Sequence, residues 1–390
     1  MSQLMSFSNI ITYIGYILIA ILVLLFMVLI HELGHYTAGK ILKFKINEFS
    51  VGFGPKLLQK KNKSGELISL RAFPLGGYCA FEGETEDGVD SPEAFNNQKP
   101  WKRLIVLFFG AFFNFLSAII FSFILLLSSG YDLVQVKNVE NTSINYAILR
   151  EGDIIYGIEN QEIDFVKDDM FNVLITENLQ AKYPTFNGDL EQDSSYSYTD
   201  PDGKKHYMST EDLTYNIKRD GQELTIVGKI NVIYDSAGKF EGWSMLTTEK
   251  ESTEFKISTY RYSFGESLAE AVPFTFKWAW KVLVIFGQLI TGQLSITSLG
   301  GPVTTINMIA TYTQASFSYL LLLLPLIAVN LAVFNLLPIP ALDGFQMIFV
   351  GIEWIRKKPV KREVVNTVNN IGLLLLLGLV IVVDILQFVL

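Results

Sequence analysis

The stretch ILVLLFMVLIHELGHYT, residues 21–37, decides the fold because an apolar run passes directly into a cluster of ionisable side chains. The run Ile10–Ile30 carries no charge and is long enough to cross a hydrocarbon core, which takes roughly 20 helical residues. No lysine or arginine precedes Lys40, so the basic region of a signal peptide is absent, and no small-residue cleavage site follows. The sequence therefore predicts a membrane span that is retained.

Three further runs have the same length and apolar character: Leu104–Leu127, about 319–337 and about 371–390. The 390-residue chain is 50% hydrophobic and only 18% charged, well on the apolar side of ordinary globular proteins. We predict a polytopic α-helical membrane protein with four transmembrane helices.

Composition excludes several classes of function. A net charge of −8 without a basic face argues against nucleic acid as a partner. Neither GxxxxGK[ST] nor GxGxxG occurs, so no nucleotide site is expected. Cys79 is the only cysteine, which rules out an intramolecular disulfide and a cysteine-rich zinc module. The lipid bilayer is the one partner that composition itself predicts.

The placement of charge orients the spans. Residues 39–103 hold 11 lysines and arginines and residues 343–368 hold five, whereas none precedes Lys40 and none follows Arg362. Residues 131–265 hold 13 basic and 24 acidic side chains, a net charge of −11. By the positive-inside rule we expect both basic loops in the cytoplasm, and both termini and the acidic segment outside. The HELGH cluster then lies near the cytoplasmic face.

These patterns predict eight segments. In chain order they are a first transmembrane helix (1–38), a cytoplasmic, membrane-associated β-hairpin region (39–103), a second transmembrane helix (104–129), an extracytoplasmic β domain (130–258), an interfacial amphipathic helix with its connector (259–317), a third transmembrane helix (318–343), a cytoplasmic loop or helix (344–368) and a fourth transmembrane helix (369–390).

Two of these segments have alternatives or internal features. Residues 264–291 combine Trp278 and Trp280 with charged side chains, which favours an interfacial helix, although a fifth crossing is the alternative. In the outer domain, the polar and turn-rich stretch 168–212 is interpreted as an insertion or mobile loop. Asp220-Gly221 predicts a two-residue hairpin turn.

The segment after the first span alternates apolar and polar residues in FKINEFSVGFGPKLLQKK and ELISLRAFPLGGYCAFEGE. This alternation predicts β-hairpins, with Gly52, Gly54, Gly76 and Gly77 at strand ends where tight turns or close backbone approach occur. An ordinary cytoplasmic loop with some strand character is the alternative.

The HELGH cluster has the spacing of a metal site. His31 and His35 share one face of a helix, so their imidazoles can reach one zinc ion. Glu32 can take a proton from the attacking water without binding the metal. The alternative is a helix end with polar residues near the bilayer surface, but a carboxylate inside a span costs about 2.5–3.5 kcal/mol on insertion scales. The cluster therefore predicts a site of chemistry.

A catalytic zinc usually has three protein ligands. His206 lies in the outer domain, on the wrong side of the membrane, and we expect it to be simply solvated. Asp343 in NLAVFNLLPIPALDGFQ, residues 330–346, follows Pro338 and Pro340, which must break the helix at matching depth. Alone, LDG is a common turn; together with HELGH it predicts the third ligand.

These motifs carry a resemblance to a known family. HELGH, FSVGFGP, FPLGGY, GAFFNFLSA and NLLPIPALDG together resemble the RseP-type branch of the site-2 proteases, which are intramembrane zinc metalloproteases. The resemblance implies a zinc ion, one per chain, bound by His31, His35 and Asp343, with Glu32 activating water. It associates Asn114 and Asn335 with substrate handling, although each asparagine could instead form a helix–helix hydrogen bond.

The resemblance also implies a role for the hairpin region. An edge strand, predicted at 67–82, could pair with the backbone of an unwound substrate helix. Gly52, Phe53, Gly54, Gly76 and Gly77 are accordingly expected to handle substrate. The implied activity is hydrolysis of peptide bonds in single-span membrane proteins, such as anti-sigma factors or remnant signal peptides, in the bacterial cytoplasmic membrane.

The chain departs from the family in two places. The family often follows LDG with a further glycine and a histidine, where this chain has Phe345 and Gln346. Its relatives commonly carry two PDZ domains, whereas the outer segment here suffices for one PDZ-like domain, and a generic β domain is the alternative. A catalytically silent scaffold and a solute transporter are the rival functions from other classes.

Overall fold

A computed structural model describes residues 7–389 apart from 86–88, 131–132, 140–144, 147, 160, 164–167, 245–254 and 296–299. The chain divides into two units. One, the helical unit, combines the chain up to Ile124 with the chain from Glu266 onward, and the other, the β unit, is Leu125–Gly265.

The helical unit begins with two long helices separated by a hairpin. Its first elements are α1 (Phe7–Ile41), β1 (Ile46–Lys61), β2 (Leu67–Phe81), a 3-10 turn (Phe95–Asn97) and α2 (Pro100–Ser128). The predicted hairpins form one sheet from two bent strands: residues 48–51 of β1 pair with both 77–80 and 67–70 of β2, and residues 56–61 of β1 pair with 67–71.

The β unit contains β3 (Val134–Val139), β4 (Ile154–Ile158), β5 (Gln161–Glu162), α3 (Asp168–Lys182), α4 (Leu190–Asp193), β6 (Tyr196–Thr199), β7 (Lys205–Arg219), β8 (Gln222–Tyr234), β9 (Phe240–Ser244) and β10 (Phe255–Thr259). Its sheet is antiparallel, in the order β10-β3-β4-β7-β8-β9, with β5 beside β4 and β6 beside β7.

The helical unit then continues with α5 (Phe264–Ile290), α6 (Pro302–Ala315), α7 (Phe317–Leu336), α8 (Asp343–Arg356) and α9 (Arg362–Val389). Among the residues that the structure describes, four helices are long and apolar enough to span a membrane. They are Thr12–Ile41, Pro100–Ser128, Phe317–Leu336 and Glu363–Gln387, in agreement with the four predicted spans. Helix α5 is not among them; its interfacial position stays a prediction.

Helix α1 continues well past the apolar run, to Ile41, so the HELGH cluster lies inside a helix rather than at its end. Packing explains the extension. Gly34 is pressed so closely against α2 that a Cβ there would lie 2.1 Å from the carbonyl oxygen of Phe109. Beyond it, Ala38 is buried in a cluster with Val106 of α2 and Phe81 of β2. This end of α1 is therefore fixed against both α2 and the hairpin.

The interpretation of residues 168–212 as a loop is wrong, because helices α3 and α4, strand β6 and part of β7 occupy this stretch. The polar composition hides an apolar stripe on α3. Ile175 and Leu179 lie one turn apart, are fully buried, and pack in the same core as Leu213 of β7. Burial of this stripe stabilises the helix despite the polar residues around it.

Two other predictions for the β unit can be compared with the structure. The hairpin turn at Asp220-Gly221 is confirmed: both residues have positive φ, 52° and 79°, and they join β7 to β8. The prediction that His206 is simply solvated is wrong. Its side chain is only 9% exposed and lies between Asp200 and Glu241, because β6 and β9 bring these carboxylates to either side of the imidazole.

Candidate metal centre

The two histidines of HELGH point to the same side of α1. His31 and His35 are one helical turn apart, and their rings meet edge to face with centroids 4.7 Å apart. Their Nε2 atoms are 3.1 Å apart, and both side chains are buried. Two imidazole nitrogens are therefore directed at one point.

The break between α7 and α8 brings Asp343 to this point. Pro338 and Pro340 follow the end of α7 and prevent it from continuing, because each ring occupies space of the preceding turn and lacks an N–H. Ala341 has a φ of 76°, a left-handed conformation that costs a residue with a Cβ on the order of 1 kcal/mol. Asp343 then opens α8. The helix break and the left-handed turn at Ala341 thus place the Asp343 carboxylate beside the two imidazoles.

The three side chains fit a zinc ion. Asp343 Oδ2 lies 3.0 Å from His31 Nε2 and 3.3 Å from His35 Nε2. Ligand atoms of a tetrahedral zinc lie roughly 3.3 Å from one another, given metal–nitrogen distances of about 2.0–2.1 Å. Within the described part of the chain, this is the one group of three histidine, cysteine or acidic side chains that could hold a metal ion. Three ligands leave a fourth position for water or substrate, as in catalytic zinc sites.

One face of α2 forms the wall behind the imidazoles. Val106, Gly110 and Asn114 follow at a spacing of four residues, so they lie on the same face. A Cβ on Gly110 would lie 2.4 Å from His35 Nε2 and 2.7 Å from His31 Cε1, which leaves room for glycine alone. His35 donates from Nδ1 to the Val106 carbonyl oxygen at 2.8 Å, and the Asn114 amide nitrogen lies 3.5 Å from His31 Nδ1. Helix α2 therefore positions both imidazoles.

Glu32 lies beside strand β2 of the hairpin. Its side chain is half-buried. A Cβ on Gly77 would be 3.6 Å from Glu32 Cγ. The hairpin strand therefore passes close to the carboxylate that the sequence predicts as the general base.

A cavity of about 470 Å³ joins these groups. Asn335 also lines it, while its amide nitrogen donates to the Leu331 carbonyl oxygen of its own helix at 2.9 Å. The predicted site residues found around the cavity are His31, Glu32, His35, Asn114, Asn335 and Asp343.

Sequence reasoning missed Glu84, which lines the same cavity just beyond the end of β2. The surrounding protein buries its carboxyl group and raises its pKa to about 7, while its side chain remains partly accessible through the cavity. Tyr78 and Gln346 also line the cavity. The sequence feature that could have revealed Glu84 is its position just after the edge strand predicted at 67–82.

Five predicted residues are not among those lining the cavity: Gly52, Phe53, Gly54, Gly76 and Gly77. They shape the hairpin. Gly76 has a φ of 138°, and a Cβ there would lie 2.3 Å from Phe53 Cε2, so glycine makes room for the aromatic ring. The Phe53 ring stacks on Tyr78, with centroids 6.1 Å apart. Phe53 therefore contacts a residue of the cavity wall, Tyr78, rather than the cavity itself.

Comparison with known proteins agrees with this geometry. The family model "Peptidase family M50" matches residues 19–379. A protein of Clostridium acetobutylicum, named a candidate zinc metalloprotease, is 31% identical over 98% of this chain and 97% of its own length. A second of that description, from Clostridium perfringens, is 29% identical over 95% of this chain and 97% of its own.

A third relative is the regulator of sigma E protease of Haemophilus influenzae, 25% identical over 94% of this chain and 96% of its own length. The predicted resemblance and the predicted zinc cofactor are thereby confirmed. With a family match that spans most of the sequence, the chain belongs to peptidase family M50 and is a zinc metalloprotease.

Proposed function

We propose that this metalloprotease cleaves peptide bonds inside, or at the edge of, the membrane-spanning segments of other proteins. The observation that carries the proposal is the position of the ligand set. His31 and His35 lie on a helix that is apolar enough to span a membrane, and Asp343 reaches them from the start of α8, shortly after another such helix, α7, ends at Leu336. A ligand set on and next to membrane-spanning helices is suited to a substrate segment that also lies in the membrane, rather than to a soluble peptide.

The proposed chemistry assigns one role to each group. His31, His35 and Asp343 would hold a zinc ion, which would polarise the scissile carbonyl and lower the pKa of water so that hydroxide is available near neutral pH. Glu32 accepts the proton of the attacking water and passes it to the leaving amine nitrogen as the C–N bond breaks.

Strand β2 is proposed to hold the substrate. A transmembrane helix hides its amides in internal hydrogen bonds, so it must unwind before water can attack. In the described part of the chain, residues 67–70 of β2 pair with two parts of β1, so the first half of the strand predicted at 67–82 is not an edge, whereas residues 77–80 pair with one part of β1 alone. That free edge runs past Glu32 at Gly77, where it could hydrogen-bond to an extended peptide. Asn114 and Asn335 border the space this peptide would enter.

Charge supports an orientation and a substrate class. The two basic loops are proposed to face the cytoplasm of a bacterium, and the acidic β unit the outside. This unit, proposed to be PDZ-like, would discourage substrates that keep a bulky outer domain. Single-span proteins already shortened outside, such as anti-sigma factors or remnant signal peptides, fit that arrangement. The Haemophilus influenzae relative, named a regulator of sigma E protease, supports the same class.

The experiment places the zinc-loaded protein in lipid vesicles with a tagged single-span substrate, and mass spectrometry locates the cut. We expect cleavage inside or at the edge of the apolar segment, and slower cleavage of a matched substrate that keeps a folded outer domain. Cuts confined to a soluble loop, or equal rates on the same sequence as a free soluble peptide, would contradict the proposal.

A further inference from the structure

We propose that Asn114 is a positioning residue for the metal site: its side-chain oxygen accepts the Nδ1–H of His31 and so fixes the imidazole with Nε2 toward the metal. The inference rests on the proposed ligand set. It gives Asn114 a role different from the substrate handling that its motif suggests.

The first step concerns which nitrogen of His31 carries the proton. Nε2 is the atom that faces Asp343 Oδ2, at 3.0 Å, and His35 Nε2, at 3.1 Å. A nitrogen that binds a metal is unprotonated, so the other ring nitrogen, Nδ1, must carry the hydrogen. His31 Nδ1 is therefore a donor that requires an acceptor.

The second step concerns the acceptor. Asn114 is fully buried, and its amide group is 3.5 Å from His31 Nδ1. Within the described part of the chain, its Oδ1 atom has no hydrogen-bond partner. With Nδ2 toward the imidazole, the Asn114 amide N–H and the His31 Nδ1–H are both donors and face each other, while the acceptor Oδ1 of Asn114 forms no hydrogen bond. A half-turn of the amide exchanges the two atoms, and a small shortening to about 2.9 Å completes an N–H···O bond.

The third step is the parallel with His35. Its Nδ1 donates to the Val106 carbonyl oxygen at 2.8 Å, which is the arrangement a metal-binding imidazole needs. Val106 and Asn114 are two helical turns apart on the same face of α2. One helix face therefore supplies an acceptor to each imidazole, a backbone oxygen for one and a side-chain oxygen for the other.

The experiment measures zinc affinity by competition with a chelator in the purified full-length protein. Asn114→Leu keeps the approximate size but removes the acceptor, and we expect zinc affinity to fall about 10–100-fold, the usual effect of losing such a partner. Asn114→Asp can accept but, when ionised, cannot donate, so it should keep zinc affinity within about threefold. Asn335→Leu is the matched control, because Asn335 lines the same cavity but donates within its own helix; its zinc affinity should be unchanged.

His31→Ala separates the two levels of the proposal. If His31→Ala loses zinc while Asn114→Leu keeps the wild-type affinity, the positioning role is wrong and the ligand set stands. If His31→Ala keeps zinc, the ligand set fails and this inference fails with it. Should Asn114→Leu not fold, Asn114→Asp decides alone: a folded Asn114→Asp protein that has lost zinc would overturn the acceptor role.

Discussion

At the scale of single residues, the candidate metal centre requires a residue without a side chain behind the two imidazoles as well as the metal ligands themselves. Gly110 touches both imidazoles where any side chain would collide with them. We expect Gly110→Ala to displace His31 and His35 and to lower zinc affinity at least 10-fold. The check is a chelator titration of the purified variant.

The matched control for that change is Gly351→Ala on α8, where a Cβ would meet no atom within 4 Å. Alanine is the better helix former, so this variant should keep its zinc affinity and gain up to about 1 kcal/mol of stability. Equal zinc affinities for Gly110→Ala and Gly351→Ala would show that Gly110 does not set the imidazole positions.

His206 gives the β unit a pH dependence. The hydrogen bond to Asp200, joined by Glu241, raises the pKa of the imidazolium, and its stabilisation is therefore complete below the ordinary value of about 6.5 and lost as pH rises above it. His206 lowers the pKa of Asp200, and Lys204 and then His206 lower that of Glu241; their stabilisation is present above about 4 and lost as pH falls.

We therefore expect this cluster to stabilise the β unit most between about pH 4.5 and 6.5. Thermal unfolding followed across this range and above it should show stability declining above pH 6.5 in the wild type. His206→Gln should flatten that decline. A variant with the same slope as the wild type above pH 6.5 would show that His206 does not carry it.

Sequence alone predicted the part of the candidate site that carries a recognisable chemical pattern. His31, Glu32, His35 and Asp343 are side chains whose type and spacing are demanded by zinc chemistry, so their pattern is visible. The acceptor for His35 is the Val106 backbone carbonyl, which every residue possesses, and it leaves no mark in a sequence. Glu84 joins the cavity only through the path of the chain after β2.

At the scale of elements, a buried ion pair ties the two helices that build the site. Arg103 at the start of α2 pairs with Glu353 of α8, and both side chains are about 95% buried. Helix α2 supports the histidines and α8 begins with Asp343, so this pair fixes their relative position. Removing one charge leaves the other buried and unpaired.

We expect Glu353→Leu to destabilise the protein by about 3–5 kcal/mol, and the double change Arg103→Met with Glu353→Leu to restore most of that loss. The control is Lys45→Met, which breaks a pair with Glu82 in which the lysine is half exposed, and it should cost at most about 1 kcal/mol. Unfolding in detergent measures all three. A double variant no more stable than Glu353→Leu would contradict the pairing.

Element prediction succeeded where a segment's own pattern was strong. The four apolar runs and the turn at Asp220-Gly221 are encoded locally. The extension of α1 past Ile30 and the helix α3 depend on partners far away in sequence, such as Phe109 for Gly34. Local pattern cannot reveal those contacts, so the order within 168–212 was missed, whereas the first helix, predicted to residue 38, ends at Ile41.

At the scale of the whole molecule, the surface of the spanning helices suits a lipid environment. Helix α9 exposes Leu374 and Leu375 at about 70% each, and α1 exposes Leu18 and Leu22 at more than half. Side chains of this kind are stable on a helix surface when hydrocarbon surrounds them. Lipid would therefore cover the apolar side chains that these helices leave exposed.

The proposed orientation predicts which exposed positions face the cytoplasm. In a Cys79→Ala background, Lys63→Cys on the hairpin and Gln222→Cys on the β7–β8 turn are matched exposed probes. In cells with a permeabilised outer envelope and an intact inner membrane, an impermeant maleimide should label Gln222→Cys alone. Lys63→Cys should react only after the inner membrane is opened; the reverse pattern would invert the proposed topology.

The central claim, that His31, His35 and Asp343 hold zinc and Glu32 moves the proton, is tested most directly by measuring zinc content and cleavage together. Wild type, Glu32→Gln and Asp343→Ala are each purified, analysed for zinc, and given the single-span substrate in vesicles. We predict about one zinc in wild type and in Glu32→Gln, with cleavage by the latter reduced at least 10²-fold, and loss of both zinc and cleavage in Asp343→Ala. Cleavage at the wild-type rate by zinc-loaded Glu32→Gln would contradict the account.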